Sequence, residues 1–549
     1  IRRDAEVRKR TETRDIRTVI FGGETLINDW FAEIQFSHSY AEENDTDNVD
    51  VTFRSERIDV DDCGGPCGTF FYQNPQKVGL ALSSYAQGVL YADLNVDAWE
   101  EDWSLIKDTE TAFSVDMTKD GFTFMNAPTT VKYGFKYRSR EKKGDNNAIE
   151  VDDDNVQALL QSQFGPYTRS WPFAGQAYGP HANESLLYAR KGQYTGGPDY
   201  DLVEEDFTTN EDITALYAMG TIEFDKAVVI AGIRVEDTDF DTLGYYDNDV
   251  SKPQSSSKSY TFVSPSLNFK YFLNDQTIIR GAIWRSLARP GFSKSNMITI
   301  IDIEEDDDTG EIIEALAERG NPDLEATEST NMDLSIEYYG ENSFASLGYF
   351  SKDIENAIYP IAIANEIIEG QLFDQLFTYI NSEDSDVSGL ELNIFQELNM
   401  FPEPFDGLFV SLNVTRTDGE SSLDYGNGEV TFPFRKLSKD NSNISIGYDK
   451  NKFDIRLSAV SRSPYLDYLA DEDSKSVNED LDLNNIRYTD DHTQIDFNMK
   501  YKINDQMSVK FDISNITDEP EFYYWGTPNR LSQYDEYGRT YSIGIRYNL

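Results

Sequence analysis

The chain closes on Thr540-Tyr541-Ser542-Ile543-Gly544-Ile545-Arg546-Tyr547-Asn548-Leu549, and the alternation in this stretch decides the fold. Successive side chains of an extended segment point to opposite faces. Tyr541, Ile543, Ile545, Tyr547 and Leu549 therefore share one face, and Thr540, Ser542, Gly544, Arg546 and Asn548 the other. Moving inward from the end, Val509, Phe511 and Ile513 alternate with Lys510, Asp512 and Ser514. Ile495, Phe497, Met499, Tyr501 and Ile503 alternate with Asp496, Asn498, Lys500 and Lys502. The pattern recurs at Val263, Pro265, Leu267, Phe269 and Tyr271, at Val131, Tyr133, Phe135 and Tyr137, and at Trp30, Ala32, Ile34 and Phe36. Helical spacing is confined to short pieces such as Glu311 to Arg319. The alternation predicts an all-β chain of about seventeen strands.

The connections predict which kind. Short polar turns stand at Asn274-Asp275-Gln276, Gly340-Glu341-Asn342, Lys450-Asn451 and Asn504-Asp505-Gln506. Between them run long acidic connections near 45–105, 144–205, 297–325 and 470–486. A soluble sandwich also alternates, since one face of each sheet is buried, but it has no reason to sort its connections by length. A transmembrane antiparallel up-and-down β-barrel does, with short turns at one rim and long loops at the other. Its apolar face would meet lipid. Lys132, Lys136, Lys270, Lys500, Asp496 and Asp512 would line the lumen, being expensive in lipid. Tyr338, Tyr339, Tyr349, Phe350 and Tyr547 suit an interfacial girdle.

Composition excludes other classes. With 48 Lys plus Arg against 99 Asp plus Glu in 549 residues, the net charge is −51, which repels nucleic acid. Aromatic residues at 13% are too many for a solvated disordered chain. No apolar run is long enough for a spanning helix, and no apolar stretch follows Ile1-Arg2-Arg3 to make a signal peptide. His38, His181 and His492 are scattered without a partner at catalytic spacing, so no enzyme is expected; His38 falls at the outer end of a strand. The cysteines of Cys63-Gly-Gly-Pro-Cys67 predict a local disulfide in a glycine-rich external loop, the alternative being two free thiols. Acidic runs, Asp306-Asp307-Asp308 foremost, offer hard oxygen donors that would suit calcium, although none has a calcium-loop spacing. No other cofactor is expected.

Several stretches resemble the TonB-dependent receptor family. They are Arg285-Ser-Leu-Ala-Arg289-Pro290-Gly291-Phe292, then Gly320-Asn321-Pro322-Asp323-Leu324 running into Glu328-Ser329-Thr330-Asn331, and at the end Asn515-Ile516-Thr517-Asp518-Glu519-Pro520 before Tyr537-Gly538-Arg539-Thr540-Tyr541. Leu549 departs from the family's usual aromatic final residue. The resemblance covers positions 220 to 549 and implies a plugged barrel of about 22 strands. No plug or TonB-contact box is recognisable. Residues 1–549 would thus be the carboxy-terminal three-quarters of the barrel, from roughly the sixth strand onward, with first and last strands both running toward the periplasm. The resemblance further implies a bacterial outer-membrane location, and as partners TonB with its inner-membrane energising complex, outer-membrane lipid and lipopolysaccharide, and a surface substrate-capturing lipoprotein.

Aromatics inside the long loops are the ligand candidates. Tyr167, Trp171, Phe173 and Tyr178 interleave with Gly and Pro, and Tyr523, Tyr524 and Trp525 precede Pro528, Asn529 and Arg530. Trp99 and Trp103 flank acids in the first long connection. Rings beside polar side chains stack sugar faces and fix hydroxyls, and they also pack loop against loop. The subgroup of the family most resembled, with very long acidic aromatic loops, implies active uptake of an oligosaccharide, and loops this acidic disfavour a negatively charged siderophore. A siderophore, haem or cobalamin receptor is the alternative within transport, and a passive porin or surface adhesin the alternative outside it.

Overall fold

A computed structural model describes residues 4–45, 48–58, 60–74, 77–90, 94–151, 160, 163, 182–192, 199–201, 206–246, 249–305, 312–424, 429–469 and 486–548. Its main sheet holds 25 strands. Seventeen of them make one antiparallel meander: β1 Glu12–Ile27, β2 Trp30–Asp45, β3 Asn95–Phe124, β4 Ala127–Val151, β5 Phe207–Phe224 and β6 Ala227–Tyr246; β7 Asp249–Phe272, β8 Thr277–Ala288, β9 Thr327–Tyr339, β10 Ser343–Glu355, β11 Asp384–Glu397 and β12 Leu408–Asp424; and β13 Asp440–Lys450, β14 Phe453–Arg462, β15 His492–Lys502, β16 Met507–Ser514 and β17 Thr540–Tyr547. The other strands of that sheet are extensions at the loop end.

The register explains why these segments pair as they do. Ile34, Val115, Phe135, Leu216, Val235 and Val263 stand directly opposite one another across β2 to β7. Ile446, Leu457, Phe497, Ile513 and Tyr541 do the same across β13 to β17. A slip of one residue would turn each strand's apolar set to the other face. The belt so formed is exposed, with Leu216 60%, Ile446 54% and Ile545 72% accessible; lipid is the environment that accepts it. On the opposite face Lys500 stands across from Asp454 and Lys510, and Asn498 donates to Asp512 at 2.8 Å.

Connections sort by length as the sequence implies, with one exception. At the short end β1–β2 and β3–β4 turn on Asn28-Asp29 and Met125-Asn126, all four at positive φ (47°, 65°, 49° and 63°). That is the two-residue turn whose twist matches the strands. At the long end, β6 and β7 are joined by 247–248 alone because the strands themselves, of 20 and 24 residues, rise past the apolar belt. The same rise redraws two loops. β3 has 30 residues and starts at Asn95, and β4 continues to Val151. Trp99 and Trp103 are therefore on β3, and Trp99 is fully buried against Val51, Phe53 and Leu187, with its Nε1 donating to Glu101 at 3.0 Å.

The long connections fold into β-structure above the wall. Glu311 to Arg319, with its helical spacing, is a correction: Ile312–Arg319 is a strand, paired antiparallel with Thr299–Glu305 and parallel with Gln371–Asn381. Neighbours on both edges override a weak local preference. Among the described residues β1 pairs laterally only with β2, and β17, exposed throughout, only with β16. Among the described residues the wall is thus an arc whose first and last strands are not paired with each other. Cys63 and Cys67 form a disulfide in the β2–β3 connection, packed with Ile58, Ala86 and Leu90.

Candidate functional site

The described loops and lumen offer two chemically distinct regions, an aromatic cap and a basic stretch of wall. The cap joins the β14–β15 and β16–β17 connections in a four-stranded sheet of Tyr465–Tyr468, Arg487–Thr489, Glu521–Trp525 and Leu531–Asp535. It rests on an apolar cluster of Tyr359, Leu423, Phe432, Leu466, Leu469 and Ile486, in which Tyr359 meets Phe432 edge-on at 5.4 Å. Tyr524 stacks on Tyr488 at 5.6 Å and is 7% exposed. Burial pushes its phenol up to about 12. Tyr523 donates its hydroxyl to Glu521 at 2.8 Å and lies under Arg487, whose guanidinium is 4.6 Å from the Tyr523 ring and 5.2 Å from that of Tyr468. Trp525 is half-buried opposite Arg487 in the register, while Asn529 and Arg530 are exposed at the turn.

Of the ligand candidates, Tyr523, Tyr524, Trp525, Asn529 and Arg530 are thus gathered on one element, with Tyr524 turned into packing. Tyr167, Trp171, Phe173 and Tyr178 lie outside the described residues, as do His181 and the calcium candidates Asp306, Asp307 and Asp308. Among the described residues there is no group of His, Cys, Asp and Glu side chains placed to hold a metal. His38 is exposed in the middle of β2 rather than at its outer end, its Nδ1 3.0 Å from the Thr111 hydroxyl.

The second region lies on the lumen face of β4. Phe135 and Tyr137 face lipid, so Lys132, Lys136, Arg138, Arg140 and Lys142 face inward. Arg234 of β6 and Arg289, just past the end of β8, converge on them. Carboxylates hold the guanidinium groups: Arg138 donates to Glu211 at 2.9 Å, Arg140 to Asp108 at 2.9 Å, Arg234 to Glu236 at 2.6 Å, and Arg289 to Glu236 at 2.6 Å and to the Thr238 hydroxyl at 3.0 Å. The Arg140 guanidinium also sits 4.8 Å over the Phe292 ring. Of these cations the sequence reading placed only Lys132 and Lys136 in the lumen and left out Arg138, Arg140, Lys142, Arg234 and Arg289. The signal was there: cations at alternate positions 136, 138, 140 and 142 mark one face of one strand.

A seventeen-strand wall with an apolar outer belt, a charged inner face and folded loops at one rim defines an outer-membrane β-barrel of the receptor kind. The chain belongs to the family described as TonB dependent receptor-like, beta-barrel, which it matches over residues 33–516, and it is an outer-membrane protein of Gram-negative type. It is 22% identical over 525 residues to the probable TonB-dependent siderophore receptor PirA of Acinetobacter baumannii, covering 86% of this chain and 64% of that protein. It is 24% identical over 263 residues to the probable hemoglobin and hemoglobin-haptoglobin-binding protein 4 of Haemophilus influenzae, covering 42% of this chain and 24% of that one. The chain therefore spans under two thirds of either curated relative. Among solved structures it resembles the pyoverdine receptor FpvA of Pseudomonas aeruginosa PAO1, with TM-score 0.57 and 13% identity over 98% of this chain and 62% of that one. It also resembles the ferric citrate transporter FecA, with TM-score 0.51 and 12% identity over 99% and 77%. At such identities these structures bear on the fold alone.

Proposed function

We propose that this chain is the barrel portion of a TonB-dependent receptor that takes up an anionic iron chelate, of the siderophore or haem class, across the outer membrane. The observation that carries the reading is the run of inward cations Lys132, Lys136, Arg138, Arg140 and Lys142 in a chain of net charge −51. Cations gathered in a low-dielectric channel raise the local concentration of an anion. The names of the two curated relatives, a siderophore receptor and a haemoglobin-binding protein, point the same way. Neither name supports the oligosaccharide expected at first. TonB would supply the energy and no covalent chemistry is required.

The test is uptake of radioactive iron, offered as a ferric siderophore or as haem, by cells expressing the gene under iron limitation. Uptake that is saturable and abolished by loss of TonB supports the reading. Uptake of a labelled oligosaccharide with no iron transport would overturn it.

A further inference from the structure

At the short-turn rim the lipid face carries a repeated pattern. Phe124-Met125-Asn126-Ala127 and Phe224-Asp225-Lys226-Ala227 each set a phenylalanine and an alanine opposite one another across a two-residue turn. Tyr271 of β7 stands opposite Ala227. Thr129 is opposite Ile222, which brings Ala127 level with Phe224 two positions further on. Ala127, Phe224, Ala227 and Tyr271 keep the parity of Phe135, Leu216, Val235 and Val263, so they share the face of the apolar belt, and Phe124 shares it as the partner of Ala127. Across β3 to β7 the row therefore reads ring, alanine, ring, alanine, ring. Its rings stand on alternate strands, roughly 10 Å apart, twice the strand spacing.

A cavity of about 520 Å³ opens on this row, with Ala127, Phe224, Ala227 and Tyr271 in its lining. Ala127 is 4% exposed while Phe224 and Tyr271 are each 37% exposed, so the alanine is floor and the rings are walls. The same cavity is lined by Glu223, Asp225 and Lys226. All three are exposed, and none of their side chains is in an ion pair or hydrogen bond among the described residues. One ammonium and two carboxylates thus stand at the polar end of an apolar cleft that continues the lipid belt. A purely anionic headgroup would meet the carboxylates, and a cationic one would meet Lys226. A zwitterion satisfies both signs, its phosphate on Lys226 and its own ammonium on the acids. Carboxylates accept hydrogen bonds, which a primary ammonium donates and a quaternary one cannot.

We propose that this cleft binds phosphatidylethanolamine from the leaflet that the short turns reach. Lys226 holds the phosphate, Asp225 with Glu223 accepts hydrogen bonds from the ammonium, and the acyl chains run along the notches beside Phe224. Aromatic residues at a membrane interface are at home beside such chains. The site lies on the outside of the wall, so it is independent of the solute that the lumen carries.

The experiment is native mass spectrometry of the purified protein in detergent. Phosphatidylethanolamine, phosphatidylcholine and phosphatidylglycerol with identical acyl chains are added in turn. Phosphatidylethanolamine is expected to stay bound at lower concentration than either of the others. Lys226→Gln should weaken it about tenfold, the loss of one charge-assisted contact. Asp225→Asn should narrow its preference over phosphatidylglycerol, because a carboxylate that repels the anionic lipid is gone. Ala227→Trp fills a notch and should weaken all three lipids together. Heat-modifiable migration confirms that each variant is assembled, and Ala227→Leu replaces the tryptophan variant if that one is not. Equal retention of the three lipids, tighter binding of phosphatidylcholine or phosphatidylglycerol, or unchanged phosphatidylethanolamine binding in the double variant of Asp225 and Lys226 would overturn the proposal. In that last case a loss seen with Ala227→Trp alone would mean unselective contact with bulk lipid.

Discussion

The lumen wall of β4 and the aromatic cap above β14 to β17 are built from the same alternating strands, yet they keep their side chains in place by opposite means. On the wall, four arginines are positioned by carboxylates, Arg138 and Arg140 from the adjacent strands, Arg234 from its own strand and Arg289 from β6. In the cap, Tyr359, Phe432, Leu466 and Ile486 exclude water, and rings such as Tyr524 are consumed in packing. The contrast shows that an aromatic-rich loop is not by itself a binding surface. An aromatic side chain gives most when buried, whereas a charged one held by partners remains available to a ligand.

The largest effect should come from the cap's core. Phe432→Ala removes a ring that is 2% exposed, and such truncations cost about 3–5 kcal/mol. Hydrogen exchange should rise across Arg487–Thr489 and Glu521–Trp525 while the wall strands keep their protection; exchange confined to the substituted strand would mean that the cap is not one cooperative unit. Next comes the belt. Leu267→Arg places a charge on the lipid face opposite Ala231 and Ile283, at roughly 2–4 kcal/mol if the site is at mid-membrane. Impaired assembly, seen as loss of heat-modifiable migration, is expected, and normal assembly would break the assignment of faces.

The contrast between regions can be sharpened with uptake itself. Lys142→Gln should lower affinity for the transported chelate by about tenfold, and Trp525→Ala by a smaller, two- to threefold factor in keeping with its half-buried place in the cap. The reverse order would move the principal contact to the cap. The smallest effect is a pH response. Burial raises the Asp490 carboxyl above its ordinary range, helped by the neighbouring Asp491. The folded cap then holds that proton at a pH where the unfolded chain has released it. Stability should rise as pH falls through the raised value and level off below the ordinary carboxylate range. Asp490→Asn should make the cap's protection, once corrected for the intrinsic pH dependence of amide exchange, independent of pH across that window.

Much of this was legible in residue order. Phe497, Met499 and Tyr501 alternate so strictly that no other pairing buries or exposes them consistently, and the structure has the seventeen wall strands that the alternation predicts. The disulfide of Cys63 and Cys67 was legible because three intervening residues, two of them glycine, curl easily. Ile312–Arg319 misled because a short segment with helical spacing carries little energy of its own, and its strand form comes from neighbours some sixty residues away in Gln371–Asn381. Trp99 misled because a loop and a strand that outruns the membrane look alike when both are acidic.

What the sequence by itself determined is periodicity: strand number, which face of each strand is apolar, the turn end, and the class of barrel. These are local properties, repeated every two residues, and they survive without knowledge of partners. What only the tertiary structure decided is convergence. Arg138, Glu211, Glu236 and Arg289 come from three strands and a loop separated by 25 to 73 positions, and nothing in their order says that they meet. They meet because register, fixed strand by strand by the apolar belt, carries the polar face along with it, and the place where opposite charges come to share one height on the wall is a consequence of every pairing between them.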